Sequence, residues 1–483
     1  MPGSLHVAFA ASEVAPFVKT GGLADVASAL PRALTALGHR VTVLLPRYGT
    51  IALPPGSFAG AVPVPVDGAH RSAGFYVSEQ DAVRLVFVDH AEFFDRPFPY
   101  GVGNHDYEDN RLRFAFFSRA CLEFFRSRGE RPDLFHAHDW QTGLLPVYAK
   151  ALYAHDAVVG RMPVVFTIHN LAYQGNFPSD TLAVLGLPRH LGAPEALEFH
   201  GGVGYMKAGL AFSERLTTVS PTYAREIRTP EHGYGLDGVL RARADDLSGI
   251  LNGVDYDEWD PRVDHFIARR YSAQRPAGKR ACKAELLATF GLPAEPDLPL
   301  VAVVSRLVHQ KGIDLVVGAS EDLLRRPLRL VVLGTGEREV QDGFRRLAQR
   351  DPARFACRFA YDPVLAHKVE AGADMFLMPS RYEPCGLTQM YSLRYGAVPI
   401  VRATGGLRDT VEPWDAARGE GTGFLFAHAD GTGLVWALDR ALEAWGDARG
   451  WRRLMRNGMT RDFSWRRSAE AYETVYRSAI ADA

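Results

Sequence analysis

The chain opens with an apolar run, Leu5–Ala11, followed by a polar loop and then a helical pattern. Leu23, Val26, Ala27, Leu30, Leu34 and Leu37 recur at the spacing of one helical face. Pro31 lies inside this pattern and predicts a kink or a split, because its ring removes a backbone donor and crowds the preceding turn. Gly38 stops the pattern, and Arg40–Pro46 (RVTVLLP) reads as the next buried strand. Strand, helix and strand in this order imply a parallel sheet.

A second series begins at Leu300–Ser305 (LVAVVS). A helix is expected after Gly312, a strand at Leu328–Gly334, a helix at Glu337–Arg350, a strand near Arg354–Ala360 and a helix at Pro363–Ala371. The strand Met375–Pro379, a helix after Gly386, the strand Val398–Val401 and a short strand near Gly423–Phe426 complete it. Such alternation predicts a second doubly wound domain, so the expected fold class is α/β with two Rossmann-like domains facing across a cleft. Asp260–Lys279 has little periodicity, and Trp465–Ala481 reads as a last helix with Tyr472, Val475 and Tyr476 on one side. The expected division is a first domain over 1–252, a second over 253–458 and a terminal segment over 459–483.

Composition narrows the function classes. The 483 residues carry a net charge of −1, with 47% hydrophobic and 23% charged residues. This is a globular composition with no global attraction to nucleic acid or to an anionic membrane, so neither is an expected partner. Cys121, Cys282, Cys357 and Cys385 form no Cys-x-x-Cys pair, which suits a reducing, cytoplasmic setting. No signal-peptide pattern opens the chain, and no apolar run reaches the roughly 18 residues of a membrane span.

The candidate chemistry sits at the carboxyl ends of predicted strands. Lys19-Thr20-Gly21-Gly22-Leu23-Ala24-Asp25 places a lysine and two glycines at a helix start, where free N–H groups can meet a phosphate. Taken alone, the motif is explained more cheaply as a tight strand-to-helix turn. Ser305-Arg306-Leu307-Val308-His309-Gln310-Lys311-Gly312 also joins a strand to a helix and carries two cations suited to phosphate oxygens. Pro379-Ser380-Arg381-Tyr382-Glu383-Pro384-Cys385-Gly386-Leu387-Thr388-Gln389 ends a strand in a carboxylate and reads as opening a helix at Gly386-Leu387. His136 and His138 share a strand face, so chelation is conceivable, but no third ligand has clear spacing. His169 ends the run Val164–Ile168 (VVFTI). Asp255-Tyr256-Asp257 has the spacing of some metal-binding Asp pairs, yet turn and capping roles explain it.

Together these stretches resemble the glycogen and starch synthase family: KTGGLAD, HAHDW, THNLAYQG, the LNGVD element, VSRLVHQKG, GTG and PSRYEPCGLTQ occur in that family's order over nearly the whole chain. The resemblance implies the GT-B fold, with a final helix that returns to the first domain. It also implies a retaining glucosyltransferase without metal or other cofactor, passing glucose from ADP-glucose to the non-reducing 4-hydroxyl of an α-1,4-glucan such as glycogen. By motif position it assigns Lys19, Gly21, Gly22, Asn252, Arg306, Lys311, Tyr361, Cys385, Gly386, Leu387 and Thr388 to the donor. Glu383 becomes the principal acidic residue, with Arg306, Lys311 and His169 beside the reacting centre, and Asp139, Tyr100 and Asp25 line the acceptor side. Many enzymes of the wider superfamily have a second glutamate eight residues after the first, where this chain has Tyr391. Two other readings stay open: an epimerase or phosphorylase on the same fold, and a glucan-binding protein without turnover.

Overall fold

The computed structural model describes residues 3–54, 56–103, 105–295 and 297–483. The chain forms two compact units, Met1–Gly253 with Trp465–Ala483, and Val254–Ser464. The second crossing comes after Ser464, a few residues beyond the expected 459, because the helix Ala448–Met459 packs on the helix Thr388–Tyr395 of the second unit.

The first unit is built on a nine-stranded sheet. Its order is Leu247–Gly249, Arg215–Thr218, Val164–Ile168, Leu134–His138, His6–Ala10, Arg40–Pro46, Val83–Asp89, Ala69–Gln80 and Ser57–Val66. The first seven are parallel, and the last two add antiparallel. The strand His6–Ala10 lies inside the parallel part and is buried along its whole length, so it reads as a continuous apolar run rather than an alternation. The outer hairpin is less legible. Its edge strand holds Pro63 and Pro65, which an edge position tolerates and a central one does not.

The helix Gly22–Ala36 buries Leu23, Val26, Ala27, Leu30 and Leu34, as the spacing predicts. Pro31 neither splits nor ends it: the helix runs through, with the proline itself buried. One missing N–H is outweighed by a whole apolar face packed on the sheet. The last helix, Trp465–Ala481, belongs to the first unit. It buries Trp465, Tyr472 and Tyr476, and Ser468 Oγ donates to Leu251 O at 2.7 Å.

The second unit has a six-stranded, wholly parallel sheet. Its order is Phe355–Arg358, Arg329–Leu333, Leu300–Val304, Met375–Met378, Val398–Arg402 and Phe424–Phe426. Counted along the chain this is 3-2-1-4-5-6, the doubly wound order. Val301 and Val303 enter the core on one face, while Leu300 and Ala302 enter the core on the other. The helix expected after Gly312 is two short ones, Ile313–Gly318 and Ser320–Leu324. The aperiodic stretch after Asp260 is held by buried polar bonds: Tyr271 Oη donates to Tyr395 O at 2.7 Å, and Tyr395 Oη donates to Asp264 at 2.6 Å.

Candidate active site

In a doubly wound sheet, ligands bind beyond the carboxyl ends of the strands where the strand order reverses. In the second unit that point lies between Leu300–Val304 and Met375–Met378. Their loops carry the two strongest motifs. Strand pairing between them covers only Val301↔Met375 and Ala302↔Phe376, after which the loops take separate paths. Gly312, at φ +64, lets them close again: a Cβ there would lie 2.0 Å from Pro379 O.

The loops converge on one ion pair. Lys311 Nζ sits 2.6 Å from Glu383 Oε2, and Ser380 Oγ donates to the same oxygen at 3.0 Å. Glu383 is 5% exposed, so its carboxylate depends on these donors in place of water. Arg306 stands exposed, with Nη2 3.2 Å from Gln310 Oε1. The resemblance assigns Lys311 to the donor, and the structure places its ammonium on Glu383.

The Pro379–Gln389 stretch turns before it becomes helical. Gly386 adopts φ +73, and the helix starts at Thr388 rather than at Gly386-Leu387. The Gln389 amide holds the turn, donating to Cys385 O at 3.0 Å and Gly386 O at 2.9 Å. Leu387 is the residue flanking that helix, and Cys385 is buried. Tyr391 stacks on Trp259 with ring centres 4.1 Å apart and planes 1° from parallel. Tyr361 is 78% exposed, just before the helix Pro363–Gly372. Asp255 Oδ1 accepts the Asp257 N–H at 3.1 Å, a turn contact.

The first unit has its own switch point, between His6–Ala10 and Leu134–His138. Asp139 ends the second of these strands at φ +54, and its Oδ1 accepts the His169 N–H at 2.7 Å. Burial pushes the Asp139 carboxyl up to about 7, and burial pulls the His169 imidazole down to about 3. His169 Nε2 lies 2.9 Å from His138 Nδ1. His136 is bound by Thr167 Oγ1 at 2.6 Å and Tyr476 Oη at 2.8 Å. The His-x-His pair therefore serves the core, one imidazole tying the last helix to the sheet and the other supporting His169. No group of three His, Cys, Asp or Glu side chains with metal-binding geometry occurs among the described residues. Asn252 Oδ1 is buried without a hydrogen-bond partner.

The Lys19–Asp25 loop is organised by a residue that the sequence reading passed over. Glu13 is 3% exposed at the end of the first apolar run. Its Oε1 accepts from Thr20 Oγ1 at 2.6 Å and Tyr100 Oη at 2.6 Å. Its Oε2 accepts the Thr20 N–H at 2.5 Å and the Gly21 N–H at 3.2 Å. The Gly21 amide is thus engaged by Glu13. Lys19 pairs with Asp25 at 2.7 Å, while burial raises the Asp25 carboxyl. Neither Gly21 nor Gly22 is required by internal packing, since a Cβ at either position would meet nothing within 4 Å. Tyr100 also bonds Ser12 Oγ at 2.8 Å, and buried Arg113 anchors the approach to it by donating to Pro99 O at 2.9 Å. A carboxylate closing an apolar run, seven residues before a Thr-Gly-Gly turn, was the available signal for Glu13.

Comparison with known proteins gives the same picture over the full length. Residues 6–242 match the family described as starch synthase catalytic domain, and residues 289–457 match glycosyl transferases group 1. The chain is 52% identical over 478 residues to a glycogen synthase of Anaeromyxobacter sp. (strain Fw109-5), covering 99% of this chain and 100% of the relative. It is 51% identical over 477 residues to a glycogen synthase of Koribacter versatilis (strain Ellin345), covering 98% of each. Among solved structures, the catalytic domain of starch synthase IV from Arabidopsis thaliana, bound to ADP and acarbose, superposes with a TM-score of 0.91 at 35% identity, covering 99% of this chain and 100% of that one. The two α/β units, each with a doubly wound parallel core, match the GT-B architecture of these enzymes, and the chain belongs to the glycogen and starch synthase family of glycosyltransferases.

Proposed function

We propose that the chain transfers glucose from ADP-glucose to the non-reducing 4-hydroxyl of an α-1,4-glucan, with retention of configuration and release of ADP. The observation that carries this reading is the Lys311–Glu383 pair, 2.6 Å apart at the switch point of the second unit, with Arg306 exposed beside it. As the bond to ADP breaks, negative charge grows on the diphosphate and positive charge grows on the glucosyl carbon. Arg306 and Lys311 meet the first, and the Glu383 carboxylate meets the second. Groups already in place when charge develops stabilise the transition state more than the ground state. In this reading Lys311 turns from Glu383 toward the diphosphate when donor arrives. The two cations carry the charge that a metal carries in other nucleotide-sugar enzymes, so no cofactor is required.

The remaining assignments follow the motif positions. Gly386, Leu387 and Thr388 offer backbone N–H groups at a helix start, Cys385 shapes the turn, and exposed Tyr361 offers a ring face to adenine. From the first unit, Lys19 and the Gly21 and Gly22 backbone serve the donor. His169, held neutral, can bond a glucose hydroxyl. Asn252 offers a buried carbonyl oxygen with no internal partner. Asp139, Tyr100 and Asp25 serve the acceptor side. No helix among the described residues is long and apolar enough to cross a membrane, and a cytoplasmic enzyme acting on glycogen fits that fact.

A donor panel tests the reading. ADP-, UDP- and GDP-glucose are each incubated with glycogen, and nucleotide release is measured. Release of ADP that depends on glycogen, with chain elongation, is expected. Preference for UDP-glucose overturns the donor assignment, and absence of release from every donor overturns the activity.

A further inference from the structure

We infer that Arg381 and Asp314 form a positioning pair that holds the loop of Lys311 in register with the loop of Glu383; this rests on the role proposed above for those two residues. Lys311 and Glu383 come from loops on different strands, and sheet pairing between those strands ends at Ala302↔Phe376. Beyond that point the loops need bonds of their own to keep their register. Arg381 supplies them. Its N–H donates to Gln310 O at 2.8 Å, and its Nη1 donates to His309 O at 2.8 Å. Its guanidinium then grips Asp314 through two bonds, Nη1 to Oδ1 at 2.6 Å and Nη2 to Oδ2 at 2.7 Å.

The placement is specific. Gln310 immediately precedes Lys311, Asp314 begins the turn of helix after it, and Glu383 lies two residues after Arg381. Anchors therefore fall on both sides of the lysine and just ahead of the glutamate. A planar two-pronged contact fixes orientation as well as distance, which a lysine at this position cannot do. Arg402 closes the other side by donating to the Arg381 carbonyl. The Arg381 guanidinium also holds the Asp314 carboxyl below the usual carboxylate range, so the pair stays ionised at neutral pH. Asp314 and Arg381 are partly exposed, at 39% and 23% of their side chains, so their bonds matter less for total stability than for loop register.

The test is a double-mutant cycle on the full chain, with turnover and ADP-glucose KM measured against glycogen. Lys311→Ala is expected to lower kcat by about 10²–10³, the scale of one lost transition-state donor. Arg381→Ala and Asp314→Ala should each lower kcat by about tenfold to a hundredfold, the scale of a misplaced group, while KM moves less than about threefold. Arg381→Ala combined with Lys311→Ala should fall no more than about threefold below Lys311→Ala alone, because the arginine acts through the lysine. Losses that multiply in the double variant, or near-normal kcat in Arg381→Ala and Asp314→Ala, overturn the inference and leave the site assignment standing. Normal turnover of Lys311→Ala instead overturns the site assignment, and this inference with it. Should Arg381→Ala not fold, Asp314→Asn, which keeps the side-chain volume and one acceptor, is read in the same cycle.

Discussion

Two stretches of this chain share the pattern Thr-Gly-Gly-Leu-x-Asp, Thr20–Asp25 in the first unit and Thr404–Asp409 in the second. Each opens a helix, Gly22–Ala36 and Gly405–Thr410. Their glycines answer to different constraints. Gly405 sits at φ +44, and a Cβ there would lie 1.9 Å from Glu383 O. A Cβ on Gly406 would lie 2.0 Å from Cys385 O. The second pair exists so that the chain can pack on the backbone of its own Glu383 loop. In the first pair Gly21 is extended, at φ −149, a conformation open to any residue. Open space surrounds the missing side chains at both positions. The same letters thus hold the Glu383 loop in place at one end of the chain, and at the other leave a helix start uncovered.

That contrast can be broken in order of expected effect. Gly405→Ala forces a Cβ into backbone in a left-handed conformation, so it should cost about 3 kcal/mol or more of stability. It should also lower turnover by about a hundredfold as Glu383 shifts. Denaturant unfolding and initial rates read both, and near-wild-type values would remove the packing explanation. Gly22→Ala should leave stability unchanged or raise it by up to about 1 kcal/mol, since alanine is the better helix former. Its effect should fall on the donor instead, with ADP-glucose KM rising about tenfold. An unchanged KM would mean that nothing approaches this backbone.

Glu13→Gln sharpens the comparison from inside the first loop. The carboxylate accepts four hydrogen bonds, and the amide offers one accepting oxygen and turns an NH2 toward other donors. A loss of about 2 kcal/mol is expected in urea unfolding, and full stability would show that the loop is held by something else. The smallest effect concerns Asp139, whose carboxyl is pushed by burial from the ordinary 3.8 up to about 7. Between those values the folded state keeps a proton that the unfolded state has lost, so this group makes stability fall as pH rises through that window. Asp139→Asn removes the penalty. Its stability relative to wild type should improve by about 1 kcal/mol between about pH 5 and about pH 8, a modest figure because solvent reaches the half-buried side chain. Parallel pH profiles would show that Asp139 ionises normally.

Legibility followed burial. The strands His6–Ala10 and Met375–Met378 are buried throughout and Leu300–Val304 is buried up to its last residue, and each shows in the sequence as an apolar run followed by chemistry-bearing residues. The hairpin Ser57–Gln80 was not legible, because an edge strand with Pro63 and Pro65 in it looks like a loop until a sheet is there to receive it. Pro31 shows the opposite case: local propensity allowed a split helix, and with the apolar face packed on the sheet the helix stays continuous. In the site, Lys19, Arg306, Lys311 and Glu383 were visible as charges at strand ends. Glu13 and Arg381 were not singled out, since nothing local shows that their partners are Tyr100 and Asp314, residues 87 and 67 positions away along the chain.

By itself the sequence determined the class of fold, the opening strand, helix and strand of the first half, the alternation of strands and helices in the second, and the residue types available for charge chemistry. These are written in local periodicity and in the ordered motifs, and each needs only a few neighbouring residues to be read. Tertiary structure alone decided which charges meet. It placed Lys311 on Glu383, Glu13 on Tyr100 and Arg381 on Asp314, partners 72, 87 and 67 positions apart along the chain. The physical reason is that parallel strands bring together the ends of segments far apart in the chain. A charge's partner is then set by sheet order and loop closure, and neither is encoded near the charge.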